Sequence, residues 1–135
     1  MRALVVDDEL VIRKYLETVL SRFGTCDCAA DGLEGVDLYL AAEKKGEPYD
    51  LLVMDIMMPK LDGLQALERI REASTSKQHR CRVIMLSCLA DARQFQFACN
   101  GGMADIYLTK PIEVGGLLKA LRDLGFLEEP EDIIP

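Results

Sequence analysis

Asp55 closes the apolar run Leu51-Leu52-Val53-Met54, and a second run, Ala3-Leu4-Val5-Val6, stops in the same way at Asp7-Asp8. A short apolar run without alternation is the pattern of a strand covered on both faces, so an acid at its end emerges where the sheet stops and a loop begins. Set side by side, the two strand ends would bring Asp7, Asp8 and Asp55 to one spot. Mutual repulsion of that kind is relieved by protonation or by a bound cation. The donors are all oxygen, which suits Mg²⁺: it takes one or two carboxylates, keeps several waters and often carries a phosphate.

The elements that must position these acids follow from periodicity. From Leu10 to Phe23, Ile12, Leu16, Val19, Leu20 and Phe23 recur at helical spacing directly after the first strand. Thr25 to Ala29 alternates as an edge strand does, with Cys26 and Cys28 on one face, and Asp31-Gly32 opens a helix towards Lys45 with Leu33, Val36 and Leu40 inward. Gly46-Glu47-Pro48 ends it. After the third strand, Leu51 to Met54, the stretch from Met58 to Gly63 reads as a loop, and Leu64, Leu67 and Ile70 mark the next helix. The unit then repeats twice: a strand from Arg82 to Leu86 with a helix from Asp91 to Cys99, and a strand from Ile106 to Leu108 with a helix from Glu113 to Leu124, whose inward residues are Val114, Leu117, Leu118 and Leu121.

Five strands alternating with five helices predict a doubly wound α/β fold of the flavodoxin-like (βα)5 kind, a parallel sheet wrapped on both faces with right-handed crossovers. Ligands of such sheets sit outside the carboxyl ends of the strands, where the strand order reverses. For the order 2-1-3-4-5, one arrangement common to such folds, the reversal lies between strands one and three, the two that end in Asp7, Asp8 and Asp55.

Composition narrows the function. The 135 residues suit one domain, expected over residues 1–125, with an acidic tail over 126–135 and no output domain. No apolar run approaches the ~20 residues of a membrane span, and acids arrive too early for a signal peptide, so a cytoplasmic protein without a membrane partner is expected. A net charge of −7 without a basic cluster argues against nucleic acid as the partner. Five cysteines without a C-x-x-C pair indicate neither a disulfide framework nor a zinc site; Cys88 is expected to be buried and inert. His79 lies in a polar stretch that supplies no orienting partner for acid–base work.

Four motifs in order, Val5-Val6-Asp7-Asp8-Glu9, Met54-Asp55-Ile56-Met57-Met58-Pro59-Lys60-Leu61-Asp62-Gly63, Ser87 after strand four, and Tyr107-Leu108-Thr109-Lys110-Pro111, resemble the signature set of the response-regulator receiver domain, stand-alone and chemotaxis-regulator-like. The resemblance runs from Arg2 to about Leu124. It implies Asp55 as phosphoacceptor, Asp8 and Asp55 as Mg²⁺ ligands with the Met57 carbonyl, and Asp7 holding a water of the metal. It also implies that Lys110 pairs with the phosphoryl oxygens, that the Lys110-Pro111 bond is cis, and that Ser87 hydrogen-bonds the phosphoryl group while Tyr107 turns into the space left behind.

The implied partners are a sensor histidine kinase or a histidine phosphotransfer protein, and a downstream protein bound by the face of the fourth helix, fifth strand and fifth helix. The chain would act as a monomer or a phosphorylation-dependent dimer, and as a signalling domain rather than an enzyme. The turn from Asn100 to Asp105 is one residue longer than the family's usual turn. Met57 and Leu89, two places past Asp55 and Ser87, are apolar and cannot orient an attacking water, which predicts a long-lived acyl phosphate. Three other classes are less well served. A Mg²⁺-dependent aspartyl phosphatase wants a second acid at position 57, which is methionine; a flavin module would meet phosphate repulsion from Asp7-Asp8-Glu9; and a receiver that signals unphosphorylated would not need the full set Asp7, Asp8, Asp55, Ser87 and Lys110.

Overall fold

The computed structural model describes residues 1–74, 80–88 and 104–128. Five parallel strands, β1 (Arg2–Val6), β2 (Thr25–Ala29), β3 (Leu51–Asp55), β4 (Arg82–Cys88) and β5 (Ile106–Lys110), form one sheet in the order β2-β1-β3-β4-β5. Four helices are described: α1 (Leu10–Leu20), α2 (Gly32–Lys44), α3 (Gly63–Ala73) and α4 (Val114–Asp123). The last is the fifth of the predicted helices. The predicted helix from Asp91 to Cys99, the long turn after Asn100, His79, Leu89 and most of the acidic tail lie outside the described residues.

Because side chains of a strand alternate between faces, each buried strand feeds two separate cores. Leu4, Val6, Leu52, Met54, Val83 and Met85 face α2 and α3, where Val36, Tyr39, Ala66, Leu67 and Ile70 close over them. Ala3, Val5, Leu51, Val53, Ile84 and Leu86 face α1 and α4, packing on Leu16, Val19, Leu20, Leu117 and Leu121. This is why β1, β3 and β4 lack polar alternation, whereas β2, an edge strand, alternates between exposed and half-buried positions. Asp105 ties the entrance of β5 to β4: its carboxylate accepts from the Val83 amide at 2.8 Å and from Arg80 at 2.8 Å.

Two expected inward residues are exposed. Leu33 and Val114 are each 41 % exposed: the first turn of α2 packs through Gly32 and Gly35, against Leu61 and Val6, which turns Leu33 outward, and the first turn of α4, with Gly115 and Gly116 in open space, stands clear of the core. The inward face of α2 is instead Gly32, Gly35, Val36, Tyr39 and Ala42, and that of α4 is Leu117, Ala120 and Leu121. Cys88 is exposed, not buried. Strand β4 runs two residues past the predicted Leu86, and the alternation that buries Ser87 turns Cys88 out.

The loop after β3 is held closed over the strand end. Asp62 caps α3 by accepting from the Gln65 amide at 2.8 Å while the Gln65 side chain accepts from the Asp62 amide at 3.2 Å, a capping box. Gly63 donates to the Ile56 carbonyl at 2.7 Å. A Cβ on Gly63 would lie 2.3 Å from the Asp55 carbonyl oxygen, so only glycine permits this approach.

Candidate functional site

The ends of β1 and β3 lie side by side where the strand order reverses, and a side chain from the end of β5 reaches across to them. Asp7 follows β1, Asp55 ends β3 and Lys110 ends β5. Asp7 and Asp55 are buried, at 0 % and 3 % exposure, while Asp8 and Glu9 face solvent. One carboxylate oxygen from each of Asp7, Asp8, Glu9 and Asp55 lies within 4.8 Å of the others. The sequence expectation of three converging acids is met, and Glu9 joins them as a fourth. Its place directly after Asp7-Asp8 was the available signal.

Lys110 is the counter-charge. Its Nζ lies 2.9 Å from Asp7 Oδ2, 3.0 Å from Glu9 Oε1 and 3.3 Å from Asp55 Oδ2, with the lysine side chain only 13 % exposed. The Lys110-Pro111 bond is cis. Asp7 is fixed from both ends: its Oδ1 accepts from the Glu9 amide at 2.8 Å, and its carbonyl accepts from Arg13 Nη1 at 2.8 Å. Nothing in the sequence announces this contact, since a half-buried arginine in the first turn of a helix carries no mark of the carbonyl it meets.

The electrostatics follow from burial and crowding. Burial, then the charge of Asp7, push the Asp55 carboxyl up to about 7 against the opposing pull of Lys110. Burial also raises Asp7, with the Glu9 amide and Lys110 pulling the other way. Burial alone would lower Lys110, but the close carboxylates of Asp7, Glu9 and Asp55 hold its ammonium above the ordinary lysine range. One lysine does not neutralise this many acids.

Asp7 Oδ2 carries a second mark of an incomplete site. It is shielded from solvent and makes no hydrogen bond, since the nearby ammonium approaches it as a charge without hydrogen-bond geometry. A buried polar atom left in that condition is destabilising unless another group meets it. An all-oxygen set with an orphaned carboxylate oxygen and excess negative charge fits a hard divalent cation.

On the β4 side, Ser87 is fully buried and its Oγ lies 2.6 Å from the Tyr107 hydroxyl. The Ser87 hydroxyl also lies 3.2 Å from the Cys88 carbonyl. Tyr107 is half-buried and leans on the α2/α3 core. The ring expected to move towards Ser87 already reaches it in this structure.

A five-stranded parallel sheet with an acidic cluster and an inward lysine at its switch point defines a class of signalling module, and comparison with known proteins agrees. The family model of the response regulator receiver domain matches residues 3–122. The chemotaxis protein CheY of Treponema pallidum is 36% identical over 125 residues, covering 91% of this chain and 81% of that protein. The chain belongs to the response regulator receiver domain family, whose members are signalling domains rather than enzymes in the usual sense.

Among solved structures, the CheX-CheY-BeF3-Mg+2 complex of Borrelia burgdorferi is similar with a TM-score of 0.77 at 29% identity, covering 95% of this chain and 90% of that one. A probable histidine kinase of Oryza sativa subsp. indica is 32% identical over 132 residues. That match covers 90% of this chain but 12% of the kinase, so the chain spans only a small part of that relative's length. Among the described residues no helix is long and apolar enough to cross a membrane.

Proposed function

We propose that this chain is a phosphoacceptor in two-component signalling. It would take a phosphoryl group on Asp55 from a histidine kinase or a histidine phosphotransfer protein and signal by binding a further protein in the phosphorylated state. The observation that carries this reading is the pairing of a buried Asp55 with Lys110 at 3.3 Å inside a cluster of four acids.

The Asp55 oxygen forms a bond to phosphorus as the phosphorus–nitrogen bond of the donor histidine breaks, and the imidazole leaves with a proton from solvent. Asp55 must be ionised to attack, so its raised proton affinity has to be overcome by positive charge. Lys110 supplies part of that charge and afterwards pairs with a phosphoryl oxygen. Asp7, Asp8, Asp55 and the Met57 carbonyl would hold Mg²⁺, which when bound neutralises the clustered acids and orients the incoming group. Ser87, at the end of β4, would donate to a phosphoryl oxygen, and Tyr107 would follow through its contact with the serine hydroxyl. Local charge would thus be coupled to packing along β4 and β5. The β5 and α4 residues, with Pro111 between them, would form part of the surface read by the downstream partner. This reading describes a cytoplasmic protein.

Intact mass after incubation with a small-molecule phosphodonor and Mg²⁺ tests it. One added phosphoryl group, absent without Mg²⁺ and absent in Asp55→Asn, is the expected result. Addition that survives in Asp55→Asn would overturn the assignment.

A further inference from the structure

Glu9 occupies the N-cap of α1 yet makes no side-chain capping bond. Its carboxylate turns to Lys110 instead, donor to acceptor 3.0 Å. Three carboxylates crowd this ammonium at 2.9, 3.0 and 3.3 Å, and the hydrogen bond from it to Glu9 holds the most exposed of them in place. A phosphoryl oxygen added on Asp55 has to find room beside the same ammonium, so the carboxylate that can leave most easily is the one it displaces. Asp7 is buried and held by the Glu9 amide, and Asp55 is the acceptor itself. Glu9 differs: its side chain is 59 % exposed and is free to swing into water.

We infer that Glu9 is a positioning residue that occupies the phosphoryl group's place on Lys110 in the resting protein and is displaced on phosphorylation. The inference rests on the proposed phosphoacceptor role. It gives the Glu9 charge opposite effects on the two ligands of one site. A carboxylate at the rim favours the cation. The same carboxylate, bonded to Lys110, competes with the anionic group that the lysine must hold.

Calorimetric titration with Mg²⁺ alone, and with beryllofluoride as phosphoryl mimic at saturating Mg²⁺, separates these effects. Glu9→Gln, which removes the charge at an exposed position without a capping role, should weaken Mg²⁺ binding about threefold and tighten beryllofluoride binding about threefold, the size of an exposed ion pair. Both changes should shrink at high salt. Glu9→Asp keeps the charge but shortens the arm, so its beryllofluoride affinity should fall between those of the wild type and Glu9→Gln.

A purely structural role would weaken both ligands together, and that result, or no change in either, would overturn the inference. Beryllofluoride affinity of Glu9→Asp equal to wild type would assign the effect to charge alone and overturn it as well. Wild-type protein that fails to bind beryllofluoride, or that binds it undiminished in Asp55→Asn, would instead overturn the phosphoacceptor reading and the inference with it.

Discussion

Replacing Asp55 with asparagine should make the metal-free protein more stable at neutral and alkaline pH, against the usual effect of changing a buried polar residue. The Asp55 carboxyl is pushed from 3.8 up to about 7 by burial and by Asp7. An acid with a raised folded-state value binds protons more tightly in the fold than in the unfolded chain. Its contribution therefore falls as pH rises between those two values and levels off above the upper one. Ionising it in the fold at about pH 8 costs about 4 kcal/mol relative to the unfolded chain, and about 2 to 3 kcal/mol of that accrues between about pH 5 and pH 8. Shifts of Lys110 and entry of water recover part of the penalty, leaving about 2 kcal/mol for the neutral isostere to gain.

For a domain of this size that gain corresponds to a rise in midpoint of roughly 6–8 °C. Thermal or urea unfolding in chelator at the two pH values, wild type beside Asp55→Asn, reads the difference directly. The advantage of the variant should grow from the lower pH to the higher one, and saturating Mg²⁺ should stabilise the wild type more than the variant. Equal or lower stability of Asp55→Asn in chelator at the higher pH would show that Lys110 already balances the cluster, and would refute the charge argument for a cation site.

Three further outcomes are expected. Gly63→Ala places a methyl group 2.3 Å from the Asp55 carbonyl oxygen; denaturant midpoints should register a loss of about 2 to 3 kcal/mol, with weaker Mg²⁺ binding because the loop carrying Met57 must move. Asp62→Ala removes the capping box of α3 and should lower stability by about 1 kcal/mol in urea titrations while leaving phosphoacceptance in place. Met57 stands exposed in the loop after β3 and offers no polar atom on its side chain to hold water, so Met57→Asn should shorten the acyl-phosphate lifetime about tenfold, measured by loss of the added mass; an unchanged lifetime would count against the apolar position as the source of persistence.

The fold was legible because each of its signals is local. Unbroken apolar runs at β1, β3 and β4 state that both faces are covered, and the Asp31 and Asp62 caps sit where helix starts were expected. Inward faces were less legible near helix starts. Leu33 and Val114 fit the apolar period, but in α2 the glycines Gly32 and Gly35 make the close approach and turn Leu33 outward, while the first turn of α4 stands clear of the core, so exposure there is decided by neighbours and not by spacing. Cys88 went wrong for a related reason, since an error of two residues in the end of β4 decides how far its last side chains are covered.

The sequence by itself determined that Asp7, Asp8 and Asp55 stand at strand ends, because charge placed at the limit of an apolar run needs no partner to be read; Lys110, two residues past the expected end of the fifth strand at Leu108, was marked by the family motif, and β5 runs on to it. Only the tertiary structure decided how those charges are shared. Lys110 is 101 residues from Glu9 and 103 from Asp7 in the chain, and it meets both because β1, β3 and β5 finish at the same edge of the sheet. The proton affinity of Asp55, the orphaned oxygen of Asp7 and the bond between Ser87 and Tyr107 arise the same way. Each depends on distance and burial across strands, and Coulomb energy and desolvation are set by separation in space, on which separation along the chain has no bearing.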